Sequence, residues 1–350
     1  MPYLRSDPSE RFPRSDFTKE KMMSERRKIA VVGAGIAGLA LARSLHDIAD
    51  VTVFEKSRGV GGRMATRRAG AGGFDHGAQY FTVRDDAFRR MLEPAIEEGI
   101  VQAWTGTIGS CSRTSPGIRH EAVLSPRFVG TPGMTGLPKW LSRGLDVRLA
   151  TKVDAIEGVP CRWEIAVGSE RIGPFDWVVT ACPAPQALAL LPASFSRREP
   201  IANANMNACF TLMITLEYPA LSDHCALRYD DEIISFVADN SSKPQRSAQP
   251  SLVVHCQNTW ADRNIGSDLD AVRSAMLGNL AKLMPGIASN IAAVEIHRWR
   301  FANVDVASAD DVLIDVDSRL AACGDWTIGN RVEAAFLSAR KLSQALGASL

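Results

Sequence analysis

The chain has 350 residues, 46% of them hydrophobic, and its 40 Lys and Arg against 39 Asp and Glu leave a formal net charge of +1. That length holds one large domain or two ordinary ones with a sizeable core, and the scattered, balanced charge excludes an electrostatic footprint for nucleic acid. No run reaches the ~18 apolar residues of a membrane span, so no membrane partner is expected. Seven cysteines, none in a Cys-x-x-Cys pair, fit a reducing cytoplasm better than a disulfide framework.

Residues 1–25 are rich in Pro, Ser and mixed charge without an apolar period, and are expected to be a disordered leader. Lys28–Ala40 then reads as strand, glycine turn and helix. Gly33 allows the tight turn, Gly35 admits a pyrophosphate to the backbone, and Gly38 lets the helix pack on its strand. The helix N-terminus directs free N–H groups at phosphate. A second apolar strand, Val51–Phe54, ends at Glu55, about 20 residues beyond the turn, where a carboxylate accepts ribose hydroxyls. These residues leave NAD(P) or FAD open. Gly61-Gly62-Arg63 follows, and this second turn resembles the extended fingerprint of two-dinucleotide-binding-domain flavoproteins. The resemblance implies FAD, with Arg63 on its pyrophosphate.

Further along, residues 73–85 read as a loop entering a strand, Ala87–Glu98 as a helix, and the Pro-interrupted glycines near Gly130 as a loop opening a helix at Leu137. Val147–Ile156, Trp163–Val167 and Trp177–Ala181 read as strands, the last a buried parallel one that Pro183 and Pro185 force out of the sheet. Strands at Cys209–Leu216 and Leu252–Cys256, and a helix at Leu269–Leu283, precede a return to strand–turn–helix from Leu320. His297 and Trp299 share one strand face, Arg298 and Arg300 the other, so one pair faces inward. His224-Cys225 and His255-Cys256 are not metal pairs, because strand neighbours point to opposite faces. No metal site and no catalytic acid, base or nucleophile is recognised. Dinucleotide-type sequence at both ends predicts an α/β protein with a discontinuous nucleotide domain over residues 26–82, 143–185 and 313–350. A second domain over 83–142 and 186–312 roofs the cofactor.

Taken together, Ser57–Met64, Gly77–Asp85, His297-Arg298-Trp299, Cys323–Trp326 and Arg331–Ser338 resemble the renalase family of FAD-dependent oxidoreductases, within the amine-oxidase-like flavoproteins. The likeness runs from Lys28 along nearly the whole chain, and Gly77-Ala-Gln-Tyr-Phe-Thr is its most distinctive segment. It implies a two-domain fold of the p-hydroxybenzoate-hydroxylase type, a Rossmann-type FAD domain with a mixed-sheet substrate domain, and a natural start at Met22 or Met23. By position it implies FAD contacts at Gly33, Gly35, Ala37, Gly38, Glu55, Lys56, Gly62 and Arg63. Gln79 and Tyr80 then lie beside the isoalloxazine, Val153 on the adenine, and Gly324 and Asp325 on the ribityl chain, where Asp325 is also a candidate N-cap. Val332 places a backbone N–H at the pyrimidine edge. Tyr80, Phe81, Phe128, His255, Trp260 and Trp326 are the candidates to meet substrate; Phe128 and Trp260 can sandwich a flat ring, and core packing accounts for them equally well. The implied reaction oxidises 2- or 6-dihydro isomers of NAD(P)H: a hydride passes to flavin N5, NAD(P)+ leaves, and O2 becomes H2O2. An amine oxidase, an NADPH-fed hydroxylase and a non-catalytic FAD module are the alternatives.

Overall fold

The computed structural model describes residues 26–69, 72–113, 115–122 and 125–350; the expected leader lies outside the described residues. Strand Arg27–Val32 buries Ile29 and Val31 on one face and Ala30 and Val32 on the other, the two-sided burial of a parallel sheet covered on both faces. It pairs in parallel with Ala49–Phe54 and with Trp177–Thr180. Asp146–Arg148 and Leu320–Ala322 extend the sheet in parallel, and antiparallel Leu313–Asp315 closes it at six strands.

One face carries helices Ile36–Leu45 and Val332–Gly347, whose Leu39, Leu41, Ala339 and Leu342 pack with Ile29, Val31 and Val179. The other face is covered by an antiparallel sheet of Ala155–Val159, Arg162–Val167 and Glu170–Phe175, which packs Trp163, Ile165 and Phe175 on Ala30, Val32 and Val178. Strand order reverses around Arg27–Val32, and ligands of open α/β sheets bind at such a switch point.

The expected strand Val147–Ile156 is two separate strands. Ala150 takes a left-handed φ of 53°, so the chain leaves the six-stranded sheet after Arg148 and enters the covering sheet at Ala155. Helix Leu269–Leu283 has the expected bounds, the early helices are Asp86–Glu97 and Gly136–Leu141, and the strand after residue 80 is only Phe81–Thr82.

The second large sheet has seven strands, in the order Ile291–Val306, Asn205–Leu216, Ser251–Cys256, Ile234–Asp239, Ala226–Tyr229, Ile108–Ser112 and Ser115–His120. It is mixed, since Ala226–Tyr229 runs parallel to Ile108–Ser112. Its outer face packs Phe210, Leu212, Ile214 and Val254 under Val272, Met276 and Leu280 of helix Leu269–Leu283. Its inner face packs Met213 and Val253 on Phe74 of the short strand Gly72–Phe74.

Candidate active site

The first glycine turn is built for close approach. Gly33 has φ 114°, and a Cβ there would lie 2.9 Å from the Ala181 carbonyl oxygen; a Cβ on Gly38 would fall 1.9 Å from the Gly33 oxygen. A Cβ on Gly35 would meet nothing within 4 Å. Gly35 thus faces open space at the N-terminus of helix Ile36–Leu45, the place for an anionic group. The second turn rests on the first: Gly61 N–H donates to the Ala34 carbonyl at 2.8 Å, and a Cβ on Gly62 would lie 3.5 Å from Gly35 Cα.

Glu55 is buried and accepts from the Ala34 N–H at 2.9 Å and the Ser57 N–H at 2.8 Å. Each carboxylate oxygen keeps lone-pair capacity for a ribose hydroxyl. Val153 lies close by, packed with Phe54 and Trp163; Ala37 is buried, and Lys56 is exposed with Nζ 3.5 Å from Gln186 Oε1.

Arg63 and Asp325, assigned to separate parts of the cofactor, touch each other. The guanidinium donates to Asp325 Oδ2 at 2.8 Å and Oδ1 at 2.5 Å, and to the Ala302 carbonyl at 3.1 Å. Asp325 opens a 3-10 turn and caps no long helix; the residue before helix Val332–Gly347 is Arg331, without a side-chain cap. Gly324 N–H donates to Ser338 Oγ, and Val332 is the first residue of the helix. Glu333, which sequence reasoning passed over, is buried and accepts from the Arg84 and Asp85 N–H groups at 2.6 and 2.8 Å, docking that helix on residues 84–85. The signal was a carboxylate inside an otherwise apolar helix start.

On the inner face of the seven-stranded sheet, register places Arg228, Phe236, His255, Thr211 and His297 in one row across five strands. The row meets Arg67, His76, Gln79 and Tyr80. Arg228 donates to the Tyr80 hydroxyl at 2.6 Å, and His297 Nδ1 lies 3.4 Å from Arg67 Nη1. Trp299, two residues on, donates to the His76 carbonyl at 2.9 Å. The rings of His76, His297 and Trp299 have centroids 4.4–4.9 Å apart. His297 and Trp299 are therefore the inward pair, and Arg298 stacks on Phe210 outside.

Burial, with the neighbouring Arg67 charge, pushes His297 down to about 4. Burial again, reinforced by His297 and Arg67, takes His76 to about 3, and burial with Lys243 takes His255 to about 4. All three imidazoles are neutral at physiological pH.

Behind Gln79 lies an ionic cluster. Asp75 Oδ2 accepts from Arg246 at 2.6 and 3.1 Å and from Lys243 at 3.2 Å, with all three side chains at most 2% exposed. Burial alone would raise Asp75, but the Lys243 and Arg246 charges outweigh it and hold the carboxyl low. Burial lowers Lys243 to about 8. Lys243 and Arg246 lie 168 and 171 positions from Asp75 in sequence, and only the fold brings them together.

The sequence pattern of the flavin containing amine oxidoreductases matches residues 102–346, and that of the NAD(P)-binding Rossmann-like domain matches residues 31–94. The chain belongs to the flavin-containing amine oxidoreductase family. Within it the protein is renalase-like and an FAD-dependent oxidoreductase: mouse (Mus musculus) renalase is 23% identical over 316 residues, 81% of this chain and 87% of that one. Putrescine oxidase bound to putrescine shares the fold with a TM-score of 0.70 and 13% identity over 92% of this chain and 99% of that one. Cyclohexylamine oxidase from Brevibacterium oxydans IH-35A does so at 0.66 and 15% identity, over 92% and 100%.

The residues expected to meet substrate lie in different surroundings in this renalase-like flavoprotein. Trp326 is 0% exposed and donates its indole N–H to the Cys182 carbonyl at 3.0 Å, so it is core. Trp260 packs edge-on against Phe210, on the face opposite Thr211, because alternate strand residues face opposite ways. Phe128 instead stacks on Phe81 at 6.2 Å, so the expected Phe128–Trp260 sandwich does not form. Phe81 itself is buried between Phe88 and Phe128. Tyr80 and His255 remain half-buried beside the inner face.

Proposed function

We propose that this renalase-like flavoprotein oxidises dihydronicotinamide nucleotides that carry their hydride at position 2 or 6, releasing NAD(P)+ and passing electrons to O2 to give H2O2. FAD would be held by the Gly33–Gly38 turn, Glu55, Gly62 and Arg63, with Val153 at the adenine. Gln79, Tyr80, Gly324, Asp325 and the Val332 N–H would hold its flavin half. The open space above Gly35 and the spare lone pairs of Glu55 suit a dinucleotide. When bound, FAD supplies a two-electron acceptor that O2 can regenerate.

One observation carries the choice of substrate: His76, His297 and Trp299 pack ring to ring at 4.4–4.9 Å on the inner face, and burial there pushes His76, His255 and His297 down to about 3–4. These are weak bases at neutral pH. A dihydropyridine releases a hydride without first losing a proton, so the protein's task is to exclude water and hold the ring at a near-attack ~3–3.5 Å. An ammonium substrate must be deprotonated first. The fold shared with putrescine and cyclohexylamine oxidases favours amine oxidation as the second reading.

Anaerobic mixing of the FAD-loaded protein with equilibrated NADH isomers, with fresh 4-dihydro NADH and with a panel of amines separates the two. The 2- or 6-dihydro isomers should bleach the flavin stoichiometrically, and air should then yield one H2O2 per NAD+. Bleaching by amines alone, or equal turnover of 4-dihydro NADH, would overturn the proposal.

A further inference from the structure

A protonated lysine can only donate hydrogen bonds, and the buried ion pair with Asp75 favours that form of Lys243. Lys243 Nζ lies 2.9 Å from Gln79 Oε1, so the oxygen end of that amide must face it. The nitrogen end faces the carbonyls of Asp75 and of Gly77, the latter at 3.0 Å, which can only accept. Both ends are thus determined by partners of fixed sign, and a flipped amide would set oxygen against two carbonyls. The same Nε2 lies 3.3 Å from His255 Nε2. The two N–H groups are shared among three acceptors, the His255 contact being the longest and bifurcated with a carbonyl. Because the amide nitrogen carries no acceptor, a proton on His255 Nε2 would face N–H, and that nitrogen is the unprotonated one. The ring's proton is left to Nδ1.

We infer that Lys243 is a positioning residue for the inner face: by locking the Gln79 amide it holds His255 as the neutral, Nδ1-protonated imidazole, with Nε2 engaged by the amide. His255 then shapes the inner face with Nε2 closed to proton exchange. The surroundings agree from every side. Lys243 is the cation acting on His255, Phe236 sits at 6.5 Å ring to ring, and Thr211 and His297 continue the row. Lys243 is itself anchored by Asp75, faces the Trp104 ring at 5.4 Å, and feels Arg246 and, more weakly, Asp239. An ion cluster at full burial is poor value as a stabiliser compared with apolar packing, which fits a role in orientation.

The relevance to catalysis rests on the reading that this face covers the flavin, but the tautomer does not. The test is selective 15N-histidine NMR of the FAD-loaded protein, with His255 assigned by His255→Gln. The native protein should show His255 with a protonated Nδ1 and an unprotonated Nε2, untitrated from pH 7 down to 5. In Lys243→Met the amide is free to turn, so the His255 midpoint should rise toward the ordinary value of 6.5 and its tautomers should mix. Lys243→Arg, also donor-only, should restore the native pattern. Gln79→Glu replaces the donating end by an acceptor, and should move the His255 proton to Nε2 even if Lys243→Met does not fold. An Nε2–H signal in the native protein, or unchanged His255 resonances in Gln79→Glu, would overturn the inference. Loss of isomer oxidation with the native tautomer confirmed would count only against the proposed substrate.

Discussion

Arg63→Ala tests how the two ends of the chain cooperate on the cofactor. The guanidinium makes two hydrogen bonds to Asp325 and one to the Ala302 carbonyl, with side-chain exposures of 28% for Arg63 and 7% for Asp325. Removing it strands a nearly buried carboxylate. Breaking a fully buried pair costs about 3–5 kcal/mol, and a hydrogen bond to a charged group contributes about 1.5–3. Water can reach the Arg63 side of this pair, so we take the lower part of that range, about 2 kcal/mol. If that loss falls on the site that receives FAD, the dissociation constant rises about 30-fold at ~1.4 kcal/mol per decade. The assay is titration of FAD-stripped protein with FAD, followed by flavin fluorescence, alongside thermal melts of the stripped protein. Arg63→Lys should recover only part of the loss, because an ammonium lacks the planar fork. An FAD dissociation constant indistinguishable from the native one would refute the reasoning, as would a mutant that binds FAD normally yet cannot be reduced.

The two glycines of the turn should separate folding from binding. Gly38→Ala places a methyl 1.9 Å from the Gly33 oxygen, and should destabilise even the FAD-free protein by the upper end of the ~1–3 kcal/mol typical of overpacking. Gly35→Val projects into open space, so melts of the FAD-free protein should be unchanged while the yellow colour is lost; equal melting losses in both mutants would contradict this. Acid should unfold the protein early. His76, His255 and His297 have folded values of about 3, 4 and 4 against 6.5 unfolded, so the unfolded chain binds more protons below pH 6.5 and stability falls as pH drops from 6.5 toward 4. Thermal melts across that range check it, and a flat profile would exclude neutral burial of these rings. Trp326→Phe should lower the melting temperature, through lost packing and the lost bond to Cys182, while leaving the KM for the oxidised substrate unchanged; a raised KM at unchanged stability would return Trp326 to the substrate site.

The nucleotide-binding half was legible in the sequence because its determinants are local. Gly33, Gly35 and Gly38 act within a single strand–turn–helix, and Ile29–Val32 and Trp177–Thr180 are short apolar runs that only a sheet covered on both faces explains. The family markers pointed to FAD for the same reason, since each lies within a few consecutive residues. Strand alternation likewise separated His297 and Trp299 from Arg298 before the fold was known. What alternation lacks is the direction of the core. Trp260 and Trp326 have the aromatic character of a substrate wall, yet one lies on the outer face of the seven-stranded sheet and the other in the core against the six-stranded sheet. Arg63 and Asp325 are separated by 262 positions, and nothing in either neighbourhood foretells their pairing. The same holds for Asp75, Gln79, Lys243 and His255, polar residues from three stretches of chain. Hydrogen bonds and ion pairs act over a few ångströms, so their partners are decided where elements meet in space, and that meeting is set by the packing of both sheets as a whole.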